Sequence, residues 1–451
     1  MKHFCSRTLI ISILLMLSFF VSAQSDTISK PPKKEKIKKG WTFGALPVVA
    51  YDADMGFQYG ALAQFFDYGD GTIYPEYRHT FYVEVSRFTK GSGVNQIFYD
   101  SKYLIPGHIR ITADLDYLTE RALDFYGFNG YEANYIPDIT DQKDSADYIS
   151  RVYYKHERMM LRAFADFQGR IVGDKFRWLA GLNYFNIKTA TVDIERMNKG
   201  KKESKQLPDT TLLYDEYVNA GLISEDEMDG GSHFILKLGL IYDTRDNEAA
   251  PNKGIWSEVL LMLAPDFMSN TSNGFTMLTA THRQFFTLAP KKLVLAYRLS
   301  YQGTIMGKTP FYILPYLFNS YALTTKPDGL GGSRTIRGVL RNRVVGDGAV
   351  NGNVELRWIF WRTYLFKQNF YLGLTGFFDA GMVVQDRYVE QDALANSEFF
   401  FDSQHDHPHL GTGIGLRAAL NENFIIAVDY GFALDKRDGT SGLYLGISNI
   451  F

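Results

Sequence analysis

Cysteine is almost absent from this 451-residue chain, since the one cysteine, Cys5, lies within the first 23 residues. Those residues have the parts of a secretory signal: two early basic residues, an apolar centre over 9–21 and small residues before a cleavage site after Ala23. We expect residues 1–23 to be removed. The remaining chain would then have no thiol, no disulfide and no cysteine-ligated metal.

The sequence also lacks a long apolar run and a large excess of either charge. After Ala23 there is no stretch of about 18 apolar residues, which excludes a transmembrane helix. The 48 basic residues nearly balance the 50 acidic ones, so the charge gives no indication of nucleic acid binding. Aromatic residues, in contrast, make up 15 % of the chain, and there are 40 glycines. This combination is typical of a transmembrane β-barrel, and a secreted soluble β-protein is the alternative.

Alternation of apolar and polar residues distinguishes these two classes. Over 293–301 the odd positions are leucine and tyrosine, and the even positions include Arg298 and Ser300. The segments 109–117 and 424–434 alternate in the same way. Strands of a soluble sandwich are typically about 5–6 residues long, whereas these are near ten, the length that crosses a bilayer when tilted. We therefore predict an all-β fold, an antiparallel transmembrane β-barrel over 41–451.

The segmentation predicts about sixteen strands, an even number as this class requires. With both chain ends on the periplasmic side, the turns on that side are short and the long connections all fall on the outer side, whereas a shift of one strand would destroy this asymmetry. The long connections are 119–151, 191–231, 303–348 and 385–408. The predicted strands are 41–51, 55–67, 77–89, 93–104, 108–118, 152–171, 176–190, 232–244, 254–264, 274–287, 291–302, 349–360, 369–384, 409–420, 423–434 and 442–451.

The strongest motif lies in the connection between predicted strands eleven and twelve. Residues 330–339 read LGGSRTIRGV, and acidic residues follow on the next strands. This loop resembles the sixth loop of the Omp85 superfamily of outer-membrane β-barrels. Four further stretches resemble the same family at the strand positions that the count requires. They are 47–61, 242–254, 355–357 and 377–381.

The resemblance implies roles for particular residues. In the family the sixth loop folds inward and its arginine pairs with an inward-facing acidic residue, so Arg337 would pair with Asp379, with Glu355 and Arg357 close by. A guanidinium suits this role because it can donate two parallel hydrogen bonds to a carboxylate. The alternative is that Arg337 and Asp379 are ordinary solvated charges of the lumen. The loop motif would comprise Ile336, Arg337, Gly338 and Val339, with a hinge at Gly331 and Gly332.

The last predicted strand, 442–451, ends in an aromatic residue. Phe451 is expected to share the apolar face with Leu445 and Ile447. A terminal aromatic residue on an alternating strand resembles the recognition signal of outer-membrane barrels, although Asn449 interrupts the apolar face.

The segment 24–40 separates the predicted signal from the first strand. It is too short for a POTRA domain, the periplasmic module with which the family normally captures substrates, and it is rich in lysine. One interpretation is a solvated tail, and the other is a docking strip for acidic lipid or a periplasmic partner. The resemblance implies assistance in the insertion or export of client outer-membrane or surface proteins, with a separate periplasmic partner. A passive pore or structural barrel is the alternative, and a surface enzyme or receptor is a third class.

Motifs of catalysis and cofactor binding are missing. The sequence has no Gly-x-Ser-x-Gly elbow, no phosphate-binding loop and no Cys/His pair. We therefore expect no enzymatic activity, no cofactor and no metal. The histidines His405, His407 and His409 of the predicted seventh outer loop could hold a transition metal, and a solvated loop is the alternative.

Overall fold

The computed structural model describes residues 37–451 except 53–55, 75, 143–146, 271–273, 321–328, 366–367, 395–396, 403, 421–423 and 448. The predicted signal peptide, 1–23, and most of the lysine-rich segment 24–40 lie outside the described residues. In the part of the chain that is described, none of the helices has the length and apolar character needed to span a membrane.

Sixteen antiparallel strands form one sheet in which every strand pairs with its neighbours along the chain. The predicted number and order of strands are therefore confirmed. The strands are β1 Trp41–Asp52, β2 Gly56–Asp67, β3 His79–Phe88, β4 Gly93–Ile105, β5 Ile109–Asp124, β6 Lys155–Val172, β7 Phe176–Ala190, β8 Gly230–Asp243, β9 Gly254–Ala264, β10 Phe275–Ala289, β11 Leu293–Gly307, β12 Gly348–Leu365, β13 Gln368–Gln385, β14 His409–Leu420, β15 Phe424–Ala433 and β16 Ser441–Ile447.

Short helices occur only in the connections of the described chain. The α-helices are α1 Ile194–Asn198, α2 Leu213–Asn219, α3 Glu225–Met228 and α4 Ser397–Phe400. The 3-10 helices are Gly130–Glu132, Pro137–Thr140, Glu203–Lys205, Asp266–Met268, Gln391–Ala393 and Lys436–Asp438.

The alternating pattern separates an apolar outer face from a polar inner face. On β8, for example, Leu236, Leu238 and Leu240 are exposed, whereas the odd-numbered Lys237 and Ile241 face inward and are buried. Successive side chains of a strand point to opposite faces, so a curled sheet places one set toward lipid and the other toward the lumen.

The sheet curls until connections from distant strands meet. The hydroxyl of Tyr131, which follows β5, donates a 2.6 Å hydrogen bond to Asp438, which precedes β16. The sheet order begins at β1 and ends at β16, and no hydrogen-bonded ladder joins those two strands among the described residues.

The long connections pack together as a cap over the outer end of the sheet. Aromatic residues from the third connection (125–154), the fourth (191–229), the sixth (308–347) and the seventh (386–408) form one buried cluster. Within it the rings of Phe125 and Tyr217 lie 5.3 Å apart, and Phe311 and Phe401 pack nearby. The outer end of the lumen is thus covered by packed side chains.

The predicted course of the last strand is wrong. Strand β16 ends at Ile447, and Phe451 turns inward, where its ring lies beside Phe285 and 5.0 Å from the guanidinium of Arg357. Arg357 also donates a 2.9 Å hydrogen bond to a backbone oxygen of Phe451. These interactions draw the segment into the lumen, so Phe451 does not share the exposed face of Leu445. The side chain of Ile447 lies outside the described structure, and a recognition role for these residues stays a prediction.

Candidate functional site

The described part of the sixth connection forms a compact loop inside the lumen, and hydrogen bonds within the loop hold its shape. Leu330 and Val344 exchange two 3.1 Å backbone hydrogen bonds, and the amide of Gly331 donates to the hydroxyl of Thr335 at 2.9 Å. Gly331 and Gly332 have φ angles of 112° and 82°, a region that favours glycine. Ile336 and Val339 are fully buried with Leu330, Val344 and Val383. The two predicted hinge glycines therefore lie in a tight turn of this loop.

Arg337 is the centre of the site and is completely buried. Its Nε and Nη2 donate to the two oxygens of Asp379 at 2.8 and 3.0 Å, and its backbone amide donates to the same carboxylate at 3.1 Å. Its Nη1 donates to Glu355 at 2.8 Å and to Asp429 at 3.2 Å. The central carbon of the guanidinium lies 3.5 Å from the ring centre of Phe377. One loop residue thus joins carboxylates of β12, β13 and β15.

The carboxylates around Arg337 have further partners on the lumen wall. Arg357 donates to Glu355 at 2.8 Å, and Arg417 donates to Asp429 at 2.5 Å. Asp379, in contrast, accepts its one further hydrogen bond in the described structure from the amide of Asn353, at 2.7 Å. Because a buried carboxylate without compensation is costly, Asp379 depends on Arg337 more than Glu355 and Asp429 do.

Glycines on the wall make room for the loop backbone. A Cβ atom added to Gly411 would lie 2.2 Å from the carbonyl oxygen of Arg337, and one added to Gly431 would lie 2.7 Å from its carbonyl carbon. Gly338 has a φ of 101°, and its amide donates to the hydroxyl of Tyr444 on β16 at 2.9 Å. The loop therefore lies directly against β14 and β15 and reaches β16. We call Arg337, its three carboxylate partners and the wall residues Gly411, Gly431 and Tyr444 the loop clamp.

The structure brings all the predicted loop and lumen residues to one place: Ile336, Arg337, Gly338, Val339, Glu355, Arg357 and Asp379. The ion pair between Arg337 and Asp379 is present, and the solvated alternative is wrong for this pair because both are buried. Three further residues of the site, Asp429, Arg417 and Tyr444, were not predicted from the sequence. Alternation on β15 places Asp429 on the inner face, but no sequence spacing links it to a loop residue 92 positions earlier.

The histidines His405, His407 and His409 do not converge on a metal site. His409 begins β14 and is buried, with its two ring nitrogens 2.9 Å from Asp406 and 2.6 Å from Asp438. His407 stacks on the ring of Tyr131, and His405 is exposed beside Glu132. Donor atoms of Glu132, Asp386 and His405 lie within 4.8 Å of one another. Exposed groups of this kind are common without an ion, so we assign them no metal.

Comparison with known proteins agrees with this architecture. The model of the Omp85 superfamily domain matches residues 169–451. No match was found among the curated proteins. Two solved structures are similar in fold. BamA from Haemophilus ducreyi lacking POTRA domains 1-3 is 15% identical, with a TM-score of 0.51, over 91% of this chain and 69% of that chain. CdiB from Escherichia coli is 10% identical, with a TM-score of 0.55, over 91% of this chain and 63% of that chain. The chain thus spans roughly two thirds of these structures' length.

Proposed function

This chain belongs to the Omp85 superfamily and is an outer-membrane β-barrel, and from that premise we propose that it assists the insertion or export of client proteins at the outer membrane. The proposed role is non-enzymatic and includes a separate periplasmic partner. The observation that carries the proposal is the loop clamp. Its buried arginine is shared by three strands inside the lumen.

A buried ion network of this kind is a poor device for stability alone. Taking several charges out of water is expensive, and well-packed apolar residues often stabilise as well or better. The network does, however, define a single position for the loop, because the fork of Arg337 fits one arrangement of Asp379 and Glu355. We interpret the clamp as a device that holds the sixth loop in one defined state, as a protein-handling barrel would require.

A passive pore is the competing function, and it is disfavoured because the lumen is covered. The sixth loop occupies the lumen beside β12 to β16, and the outer cap buries aromatic residues over one end. Single-channel recording in planar bilayers separates the two functions. Large, steady openings of the purified wild-type protein would favour the pore, and small, erratic ones would favour the closed machine.

Depletion of the protein in its own host tests the proposal directly. The outer-membrane proteome should lose a subset of barrels or surface proteins, while their precursors accumulate in the periplasm. Complementation with wild-type protein and with Arg170→Ala should restore that subset, because Arg170 is an exposed residue paired with Asp174 at a short turn. Arg337→Ala should restore it poorly. An unchanged proteome, with no related barrel rising to compensate, would end the assembly proposal.

A further inference from the structure

The lipid-facing surface of β9, β10 and β11 carries a chain of four polar side chains. The ring Nδ1 of His282 lies 2.7 Å from the hydroxyl of Ser257, and its Nε2 lies 3.1 Å from the hydroxyl of Tyr297. Tyr297 donates in turn to the side-chain oxygen of Gln284 at 2.7 Å. Neighbouring strand positions such as Glu258 face inward and are buried, so alternation places these four side chains outward.

The four residues form one cross-strand unit. His282 is directly opposite Ser257 in the β9–β10 ladder, and Gln284 is directly opposite Tyr297 in the β10–β11 ladder. Because the hydroxyl of Tyr297 donates its proton to Gln284, the hydroxyl oxygen accepts a hydrogen bond from Nε2–H of His282. The unprotonated Nδ1 of His282 then accepts from the hydroxyl of Ser257. In the described structure the amide nitrogen of Gln284 donates no hydrogen bond, so the unit ends in an available donor.

The unit lies well inside the membrane. Gln284 is five positions from Ala289, where β10 ends at a short turn. With about 3.3 Å per residue and a tilt near 45°, this places Gln284 roughly 12 Å from that turn, within a hydrocarbon core of about 30 Å. Polar groups at such a depth are expensive beside lipid, and they usually mark a functional contact. The outward side chains around them are apolar and include Val259, Leu261, Leu278, Phe286, Leu295 and Leu299.

A groove adjoins the polar unit on the same surface. It extends across β9 to β13, has a volume of about 750 Å³ and is lined in part by Ser257 and His282. Its small outward residues are Ala280, Gly352 and Ala380. Val259 and Leu299, each about half exposed, project beside it. Small residues permit close backbone approach, and polar residues hydrogen-bond across the contact, as in interfaces between membrane segments.

We propose that this surface is the interface of a homodimer, with a second copy of the chain as its partner. A two-fold axis along the membrane normal brings the same patch of two copies together at the same depth. Each Gln284 then meets the other, and an amide that both donates and accepts can form reciprocal hydrogen bonds. Val259 and Leu299 supply ridges, and the groove of the other copy can receive them. An unrelated partner would need polar groups at this depth, which a second copy has by symmetry.

Cysteine cross-linking in native membranes tests the dimer. In a Cys5→Ser background the only thiol is the introduced one. Ala280 lies on the same strand as Gln284 and to one side of the two-fold axis, so Ala280→Cys should give a cross-linked species of twice the chain mass with a flexible bis-maleimide reagent. Val85→Cys is the matched control, because Val85 is an exposed outward residue of the distant strand β3. It should remain monomeric.

A second variant tests the polar unit itself. Gln284→Leu replaces a polar group facing lipid by an apolar one, so the barrel should still fold, as heat-modifiable migration on a gel would show. In the Ala280→Cys background this variant should lower the cross-linked fraction roughly three- to tenfold, the range for one or two membrane hydrogen bonds. Three results would overturn the dimer: equal cross-linking of Val85→Cys, cross-linking of Ala280→Cys only to a different protein, or a purely monomeric mass of the protein without cross-links in nanodiscs.

Discussion

Replacing Arg337 by methionine removes the centre of the loop clamp and retains most of the apolar stem. The change takes from Asp379 the two hydrogen bonds of the guanidinium and its positive charge. Asp379 keeps the 3.1 Å bond from the backbone amide of residue 337 and the 2.7 Å bond from Asn353. Glu355 keeps Arg357 as a partner. The main cost is therefore one uncompensated buried carboxylate, and breaking a buried pair in this way typically costs about 3–5 kcal/mol.

A double-mutant cycle with Asp379→Asn separates this cost from lost packing. Asp379→Asn alone leaves the guanidinium of Arg337 with Glu355 and Asp429, so it should cost less, about 2–3 kcal/mol. In the double variant neither charge remains to be compensated. Its loss should fall short of the sum of the single losses by about 2 kcal/mol, a coupling expected of residues in direct contact.

The assay is reversible denaturant unfolding in detergent, followed by tryptophan fluorescence. Arg170→Ala is the control, and because its ion pair is exposed it should change the free energy of unfolding by less than about 0.5 kcal/mol. If Arg337→Met and Asp379→Asn each cost less than about 1 kcal/mol, or if their effects simply add, the clamp does not stabilise the loop as argued.

Two further predictions concern the contact between the loop and the barrel wall, and the outer cap. Gly411→Ala places a Cβ 2.2 Å from the carbonyl oxygen of Arg337 and should cost about 1–3 kcal/mol in the same assay, whereas Gly376→Ala, with no atom within 4 Å, should be nearly neutral. In the cap, burial alone would raise the pKa of Asp406, but hydrogen bonds from His409 and two backbone amides hold that pKa below its usual value. This carboxylate therefore stabilises the cap above its unfolded pKa, and the contribution should disappear as the pH falls below about 4. The near-ultraviolet circular dichroism signal of the buried tyrosines should decrease at acid pH in the wild-type protein. Asp406→Asn should abolish this pH-dependent decrease. If the decrease persists in the variant, Asp406 is not the group responsible for it.

The sheet could be predicted from the sequence because each strand carries its own evidence. Alternation over about ten residues fixes both a strand and its inner face, so the order and number of strands followed from local patterns. The pairing of Arg337 with Asp379 needed the family resemblance as well, since no local pattern links two residues 42 positions apart.

The missed features depend on contacts across the lumen or the membrane. Phe451 was assigned to the outer face by alternation, but Arg357 and Phe285 hold it inside. Asp429 and Gly411 became part of the clamp only when the loop folded against β14 and β15. Likewise, Ser257 and His282 lie 25 positions apart and meet through strand register alone.

The loop clamp and the outer cap are linked through the same short segment. Leu340, three residues after Arg337, donates its amide to the carbonyl of Asp438 at 2.8 Å. Arg343 donates to the carbonyls of Gly130 and Ala133 at 2.7 and 3.0 Å. Since Arg343 follows Arg337 by only six positions in a tightly hydrogen-bonded loop, withdrawal of Arg337 from the wall would pull on the cap as well. Opening the lumen and opening the outer cap should therefore be one coupled event, and a variant that loosens either set of contacts should increase solvent access to the other.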